Sequence, residues 1–296
     1  MDYKKAVNFI INRRKSELED GYLNYLDLIK TDEILKNLDK SYRASCLDFS
    51  PSASEKQIAL KKSIDDRLVQ INAYSLVYPP AKCPICNDTA YDNGKFCRCV
   101  KAYAISQGEI SFPLYSFSQS NPSIFGANAT AYQGVQDRLL ALCDKAPYNK
   151  RKTVALLGKT GTGKTFLASC MADKLIKKNL SVVFITAFEM VERMLKYHTT
   201  FDATKLSYLS PLLDCDFLFI DDLGSESVYK NVTKEYFFHI VNERRLANRT
   251  TVVTSNLNMD EIAIRYGERT ASRLFDKSTC YAVEFNFDDE RKLKIE

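Results

Sequence analysis

From about Thr130 onward, short unbroken apolar runs alternate with longer stretches whose apolar residues recur every three or four positions. The pattern predicts a helix over 131–142 before a strand at 153–157, and a helix over 165–178 before a strand at 181–185. Helices over 187–196 and about 204–213 precede a strand at 217–220. A helix over 232–247 leads to a strand at 251–254, and helical material from 259 to 275 leads to a strand at 281–285. Strands that are apolar throughout are buried on both faces, so the carboxyl-terminal two-thirds predicts an α/β fold with a parallel sheet covered by helices. The amino-terminal third reads differently. Residues 3–44 predict two helices separated by Asp20-Gly21, with Val7, Ile10, Ile11 and Leu18 on one and Tyr22, Leu26, Ile29 and Leu38 on the other. Ser54 and Gln57 have the spacing of a capping box, and Leu60, Ile64, Leu68 and Ile71 follow at helical spacing until Pro79-Pro80. These stripes predict a small helical domain that closes on itself by default, or on a partner.

Composition refines the division. Between 106 and 131 the chain shifts to Ser, Asn, Pro, Gly and Phe, as expected of a connection and entry strap. The expected organisation is therefore a helical domain over 1–105, a linker over 106–130 and an α/β domain over 131–296. The net charge of +5 is spread evenly, with 17 basic and 14 acidic residues in 1–104 and 25 and 23 in the remainder. Basicity alone gives no argument for nucleic acid. Residues 2–15 contain no apolar signal core, and no run approaches the ~18 residues of a membrane span, so a cytoplasmic protein with no membrane partner is expected. Five of the nine cysteines (Cys46, Cys143, Cys170, Cys215, Cys280) are isolated in apolar or helical surroundings, which suits buried reduced thiols in a reducing compartment better than a disulfide framework.

The segment around which the chemistry gathers is Gly158-Lys159-Thr160-Gly161-Thr162-Gly163-Lys164-Thr165, set between a predicted strand and a predicted helix that Phe166 opens. It fits the P-loop pattern in full. Glycines let backbone N–H groups approach phosphate oxygens, and the helix aims its positive end at the same place. Lys164 is expected on the β- and γ-phosphates of ATP and the Thr165 hydroxyl on Mg²⁺, with residues 158–166 forming the nucleotide contact. Phe217-Leu218-Phe219-Ile220-Asp221-Asp222 then delivers Asp221 to the end of a strand, where it can hold Mg²⁺ through water, with Asp222 placed to orient an attacking water. Thr254-Ser255-Asn256 ends the next strand in the same way, so Asn256 is a candidate for the γ-phosphate or the water.

A second cluster is Cys83-Pro84-Ile85-Cys86 and Cys97-Arg98-Cys99, on either side of the turn Asp92-Asn93-Gly94. Four thiolates on two turns are the ligand set of a structural, tetrahedral Zn²⁺. The C-x-C half is tighter than C-x-x-C, which leaves room for a different fourth ligand or an iron–sulfur cluster. His198 and His239 are far off in sequence and read as helix-face residues.

The P-loop, Asp221-Asp222-Leu223-Gly224, Thr254-Ser255-Asn256 and Arg265-Tyr266-Gly267-Glu268-Arg269-Thr270-Ala271-Ser272-Arg273-Leu274 together resemble the AAA+ ATPases that load the bacterial replicative helicase, the DnaC/DnaI type. The resemblance runs from about residue 110 to the end. The amino-terminal third also resembles that family's helicase-binding domain, some versions of which carry a CPxC…CxC zinc element. The resemblance implies a five-stranded parallel sheet preceded by a small helical zinc-binding domain, with nucleotide held between self-associated subunits. It implies a hexameric replicative DNA helicase as partner of the amino-terminal domain, and control of loading by ATP and single-stranded DNA. It makes Arg273 the candidate arginine finger, acting in trans, with Arg269 beside it and Arg291 as a second sensor; a surface salt bridge is the competing reading for each. Asp222 stands where most AAA+ proteins have glutamate, which implies slow turnover, stimulated by assembly or single-stranded DNA. For the DNA itself, Lys177, Lys178, Arg193, Lys196, Tyr197 and Lys205 are candidates, and a solvated helix face explains them equally well. A transposition helper ATPase and a nucleotide-gated adaptor with little hydrolysis remain open as alternatives.

Overall fold

The computed structural model describes residues 3–106 and 109–285. Its contacts divide the chain into a unit of Lys4–Cys97 and a larger unit that begins at Arg98.

The smaller unit corrects the helix reading in two places. Helix α1 is continuous over Tyr3–Thr31 with Gly21 inside it, so the break expected at Asp20-Gly21 does not occur. The glycine serves packing: a Cβ there would lie 2.4 Å from the Val77 carbonyl oxygen. The chain turns instead at Asp32, whose carboxylate accepts from the Leu35 N–H at the start of α2 (Glu33–Ser45) and pairs with Arg67 at 2.6 Å. Helix α3 starts at Ala53 and stops at Gln70, and the capping box expected from Ser54 and Gln57 is not formed. Gln57 Nε2 donates to the Ser45 carbonyl instead, at 2.8 Å. A short α4 (Tyr74–Val77) follows before the prolines. Leu35, Ile64, Leu68, Ala73 and Val77 form the core, whereas Ile11, Leu18 and Tyr22 of the expected stripes are exposed, as is Cys46, expected to be buried, just past the end of α2. Strands β1 (Tyr91–Asp92) and β2 (Lys95–Phe96) pair as a hairpin around Asn93-Gly94, both residues with positive φ.

The larger unit holds α5 (Arg98–Ser106), α6 (Ala129–Lys145), β3 (Thr153–Gly158), α7 (Lys164–Lys177), β4 (Val182–Thr186), α8 (Ala187–Thr199) and α9 (Lys205–Asp214). It continues through β5 (Phe217–Asp221), α10 (Thr233–Leu246), β6 (Thr250–Ser255), α11 (Met259–Tyr266), α12 (Glu268–Leu274) and β7 (Cys280–Phe285). The five long strands form one parallel sheet in the order β4-β5-β6-β3-β7. Alternate strand residues feed two cores. Leu157, Val183, Ile185, Leu218, Ile220 and Val253 meet Met190, Leu212, Phe237 and Ile262 on one face. Leu156, Phe184, Phe217, Phe219 and Val252 meet Leu139, Leu167, Met171 and Leu175 on the other. Burying each such side chain contributes about 1.5–3 kcal/mol, so the sheet is a rigid base for whatever its strand ends carry.

From Glu109 onward the segment expected as a linker pairs with the sheet. Glu109 O accepts from Phe184 N at 2.7 Å and Ser111 N donates to Phe184 O at 2.9 Å, so Ile110 bridges in parallel to the free edge of β4. Two short 3₁₀ turns, Phe117–Gln119 and Pro122–Asn128, complete the strap.

Candidate functional site

The carboxyl ends of β3, β5 and β6 are adjacent in the sheet, and the residues they carry converge there. In open parallel sheets this is where ligands bind. Strand β3 ends at Gly158, with φ +128; a Cβ there would lie 2.2 Å from the Phe285 carbonyl oxygen, so only glycine fits between β3 and β7. Gly163 has φ +84 and occupies the N-cap of α7, turning the chain so that the helix's first N–H groups face the loop.

Lys164 opens α7 and is buried. Its Nζ donates to Gly158 O at 2.8 Å, Lys159 O at 2.7 Å and Asn256 Oδ1 at 3.0 Å. The Asn256 amide in turn donates to Asp222 Oδ1 at 3.1 Å. A second chain of bonds runs through Asp221, whose Oδ1 accepts from Thr165 Oγ1 at 2.9 Å and Thr254 Oγ1 at 2.6 Å. Thr254 Oγ1 also accepts from Asp222 N at 2.9 Å, joining the two carboxylate residues. Burial pushes the Asp221 carboxyl above its ordinary pKa, an effect that the Thr254 and Thr165 hydrogen bonds oppose. Asp222 is exposed and has φ +56, a conformation that aspartate tolerates better than most residues.

Asp222, Thr254, Asn256 and the loop 160–166 line a cavity of about 290 Å³, with Asp221 behind Thr165 and Thr254. Its chemistry suits a nucleotide triphosphate with Mg²⁺: an ammonium and a helix N-terminus for phosphate, and a hydroxyl and a carboxylate, both hard oxygen donors, for the cation.

Of the arginines, Arg269 and Arg273 sit on α12 and neither lines this cavity. Arg269 is exposed. Arg273 is half-buried, donates to Asn242 Oδ1 at 2.8 Å and lies 4.7 Å from the Phe238 ring centroid. Arg291 lies outside the described residues. Among the residues weighed for single-stranded DNA, Lys178 is committed to the carbonyls of Cys143, Asp144 and Ala146, and Arg193 to Glu109. Lys177 pairs with Asp173. Lys205 lies over the rings of Tyr197 and exposed Phe201, at 4.7 and 5.5 Å. Sequence reasoning gave Thr254 no role of its own. The signal was the strand register: Ile220 stands opposite Val253, which brings the next residues, Asp221 and Thr254, side by side.

The four cysteines of the second cluster, Cys83, Cys86, Cys97 and Cys99, are all buried, with their Sγ atoms within 4.8 Å of one another. The Cys83 and Cys97 sulfurs are 3.7 Å apart. Tetrahedral Zn²⁺ with bonds of about 2.3 Å sets sulfurs about 3.8 Å apart, so the cluster fits zinc. Asp88 braces the first turn: its carboxylate accepts from Lys82 N at 2.7 Å and Cys83 N at 3.0 Å, and pairs with Arg13 at 3.0 Å.

The fold and the cavity define a P-loop nucleotide-binding protein. Residues 130–293 match the family described as IstB-like ATP binding protein, and the chain belongs to that family. It is 31% identical over 136 residues to the replicative helicase loader DnaC of Escherichia coli (strain K12), an alignment covering 45% of this chain and 54% of that protein. Over 150 residues it is 29% identical to the chromosomal replication initiator protein DnaA of Helicobacter acinonychis (strain Sheeba), covering 50% of this chain and 31% of that one. The chain thus spans about half the length, or less, of these curated relatives. A solved structure titled as the crystal structure of the DnaI is similar with TM-score 0.47 and 26% identity, covering 62% of this chain and 95% of that one. Among the described residues no helix is long and apolar enough to cross a membrane.

Proposed function

We propose that the protein is an ATP-hydrolysing loader that binds a hexameric replicative DNA helicase through its amino-terminal domain and delivers it onto single-stranded DNA. The observation that carries the ATPase part is the pair of hydrogen-bond chains, Lys164–Asn256–Asp222 and Thr165–Asp221–Thr254, meeting in one cavity beside a P-loop. The helicase part rests on the 31% identity to DnaC over 136 residues and on the family's resemblance in the amino-terminal third.

In this reading Lys164 exchanges the carbonyls of Gly158 and Lys159 for the β- and γ-phosphate oxygens, and the N–H groups of 160–165 wrap the phosphates. Thr165 and Asp221 would hold Mg²⁺, which would supply neutralisation of phosphate charge. Asp222 and Asn256 hold the attacking water. The aspartate arm is one methylene shorter than a glutamate, so it aligns the water less well and turnover is slow. Arg273 of α12 stabilises developing charge at a neighbouring subunit's nucleotide, with Arg269 beside it, so hydrolysis depends on self-association. Arg291 is assigned to sensing the nucleotide in cis. Cys83, Cys86, Cys97 and Cys99 would hold Zn²⁺, which would staple a small domain with few buried apolar residues. Lys196, Tyr197 and Lys205 are the stacking and charge candidates for single-stranded DNA.

The test is native mass spectrometry of the full chain mixed with the replicative helicase of the same cell, in ATP and in ADP. A nucleotide-sensitive complex is expected. No complex in any nucleotide state moves the weight to a transposition helper, which shares this catalytic domain, and a transposase on DNA becomes the next bait.

A further inference from the structure

Glu226 lies in the loop between β5 and α10, with its side chain fully buried. A carboxylate taken out of water is costly unless its oxygens are well matched, and an apolar residue would fill the same space. Here the matching comes from two directions. Glu226 Oε2 accepts from the Gly224 N–H of its own loop at 2.9 Å. Oε1 accepts from the Tyr266 hydroxyl at the end of α11, and Arg265 Nε lies 3.6 Å away. The Glu226 backbone carbonyl also accepts from Arg265 Nη2. Burial and the facing carboxylate raise the Tyr266 phenol well above its usual pKa, so it stays a donor throughout the physiological range.

Both ends of this bridge reach something chemical. On one side, Gly224 is two residues from Asp222, and the intervening loop has little slack. Leu223 N donates to Thr254 O at 2.8 Å, Ser255 Oγ donates to Leu223 O, and Ser225 N donates to Asp222 O at 3.1 Å. Gly224 has φ +107 and packs so closely that a Cβ would lie 2.5 Å from Leu257 Cδ1. On the other side, Tyr266 stacks edge-on to Phe237 of α10 at 4.9 Å, and its carbonyl accepts from Thr270 Oγ1 in α12 at 3.2 Å. That second bond spans Gly267 and ties Tyr266 to the helix that carries Arg269 and Arg273.

We infer that Glu226 and Tyr266 are positioning residues that link a subunit's own nucleotide cavity to the α12 arginines it presents to a neighbour. The inference rests on the ATPase reading above and adds a route within one subunit. When phosphate draws Lys164 away from Asn256, the amide's hold on Asp222 changes, and the stiff 222–226 loop carries that change through Glu226 to Tyr266 and α12. A subunit would then offer its arginines according to what it has bound.

The experiment is hydrogen–deuterium exchange of the full-length protein, followed in the 267–274 peptide with and without a non-hydrolysable ATP analogue and Mg²⁺. A fluorescent ATP analogue gives the affinity in parallel. In the wild type, nucleotide is expected to change exchange of this peptide by at least about fivefold, the lower end of ordinary coupling energies. In Tyr266→Phe the change is expected to shrink to less than about twofold while affinity stays within about twofold of wild type. Glu226→Gln keeps an acceptor for Gly224 and serves as the milder variant if Tyr266→Phe does not fold; its response is expected between the two. The inference is overturned if nucleotide leaves 267–274 unchanged in the wild type, or changes it equally in wild type and both variants. Failure of the fluorescent analogue to bind the wild type would overturn the ATP reading itself, and the coupling with it.

Discussion

Replacing Lys164 with alanine separates two jobs that one ammonium does. Its three donors meet three acceptors, Gly158 O, Lys159 O and Asn256 Oδ1, at 2.7 to 3.0 Å. Hydrogen bonds to a charged group contribute about 1.5–3 kcal/mol each, and removing the ammonium from water subtracts several kcal/mol from their sum. The net expected loss in the nucleotide-free variant is about 1–3 kcal/mol, which for a domain of roughly 150–250 residues lowers Tm by about 2–12 °C. With ATP and Mg²⁺ the wild-type lysine trades neutral carbonyls for charged phosphate oxygens. The affinity it contributes is the difference between those two sets, about 2–3 kcal/mol, so Kd should weaken by about 30–150-fold. The assay is equilibrium binding of a fluorescent ATP analogue with thermal melts of both proteins. A change in Kd of less than about threefold would show that Lys164 does not face phosphate, and the nucleotide site would have to be sought elsewhere. An unshifted nucleotide-free Tm would leave the affinity result intact and refute the net value assigned to the carbonyl bonds.

Three further changes probe the rest of the site. In Asp221→Asn, Oδ1 can still accept from both Thr165 and Thr254, while the buried charge disappears. Because the folded protein holds the Asp221 proton more tightly than the unfolded chain does, the carboxylate's effect on stability turns unfavourable as pH rises above the ordinary aspartate value. The Tm advantage of the asparagine variant should therefore grow between about pH 4 and pH 7, with Mg²⁺-dependent hydrolysis falling at least about 100-fold; an advantage that shrinks with pH refutes the burial argument. Protein purified without chelator should carry one zinc per chain, lost together with folding of the smaller unit in Cys83→Ser and Cys86→Ser; metal analysis showing no zinc, with the variants intact, would remove the zinc assignment. Arg273→Ala should lower assembly-stimulated hydrolysis by at least about 100-fold at unchanged ATP affinity, and an unchanged stimulated rate would end its candidacy as the finger.

The parallel sheet was legible because strands buried on both faces read as unbroken apolar runs, and each such run is a strand within one or two residues of its expected ends. The P-loop, Asp221, Asp222 and Asn256 were legible because their spacing is local or lies at strand ends. Features that depend on distant partners were not. Gly21 reads as a helix breaker, yet its role is to admit the Val77 carbonyl more than fifty residues on, a contact that no local window contains. Gln57 has the spacing of a capping box but finds the Ser45 carbonyl, because the helix begins two residues earlier than the spacing assumed. The polar composition of 106–130 resembles a linker, and only the exposed edge of β4 explains why Ile110 pairs with Phe184 there.

Glu226 marks where local reading stops and topology takes over. An acidic residue in a loop rich in serine is expected to be solvated, and the residue that keeps it buried, Tyr266, lies 40 positions later. What brings them together is the sheet order: β5 and β6 are neighbours, so the loop leaving β5 and the helix following β6 emerge side by side. The same adjacency places Asp221 beside Thr254 and Asp222 beside Asn256. A parallel sheet therefore does more than collect the nucleotide-facing residues at one edge. It also puts the arginine-bearing helix two hydrogen-bonded steps from the aspartate loop, Glu226 to Tyr266 and Tyr266 to Thr270, and these two bonds are the route that the proposed coupling between the nucleotide cavity and α12 would use.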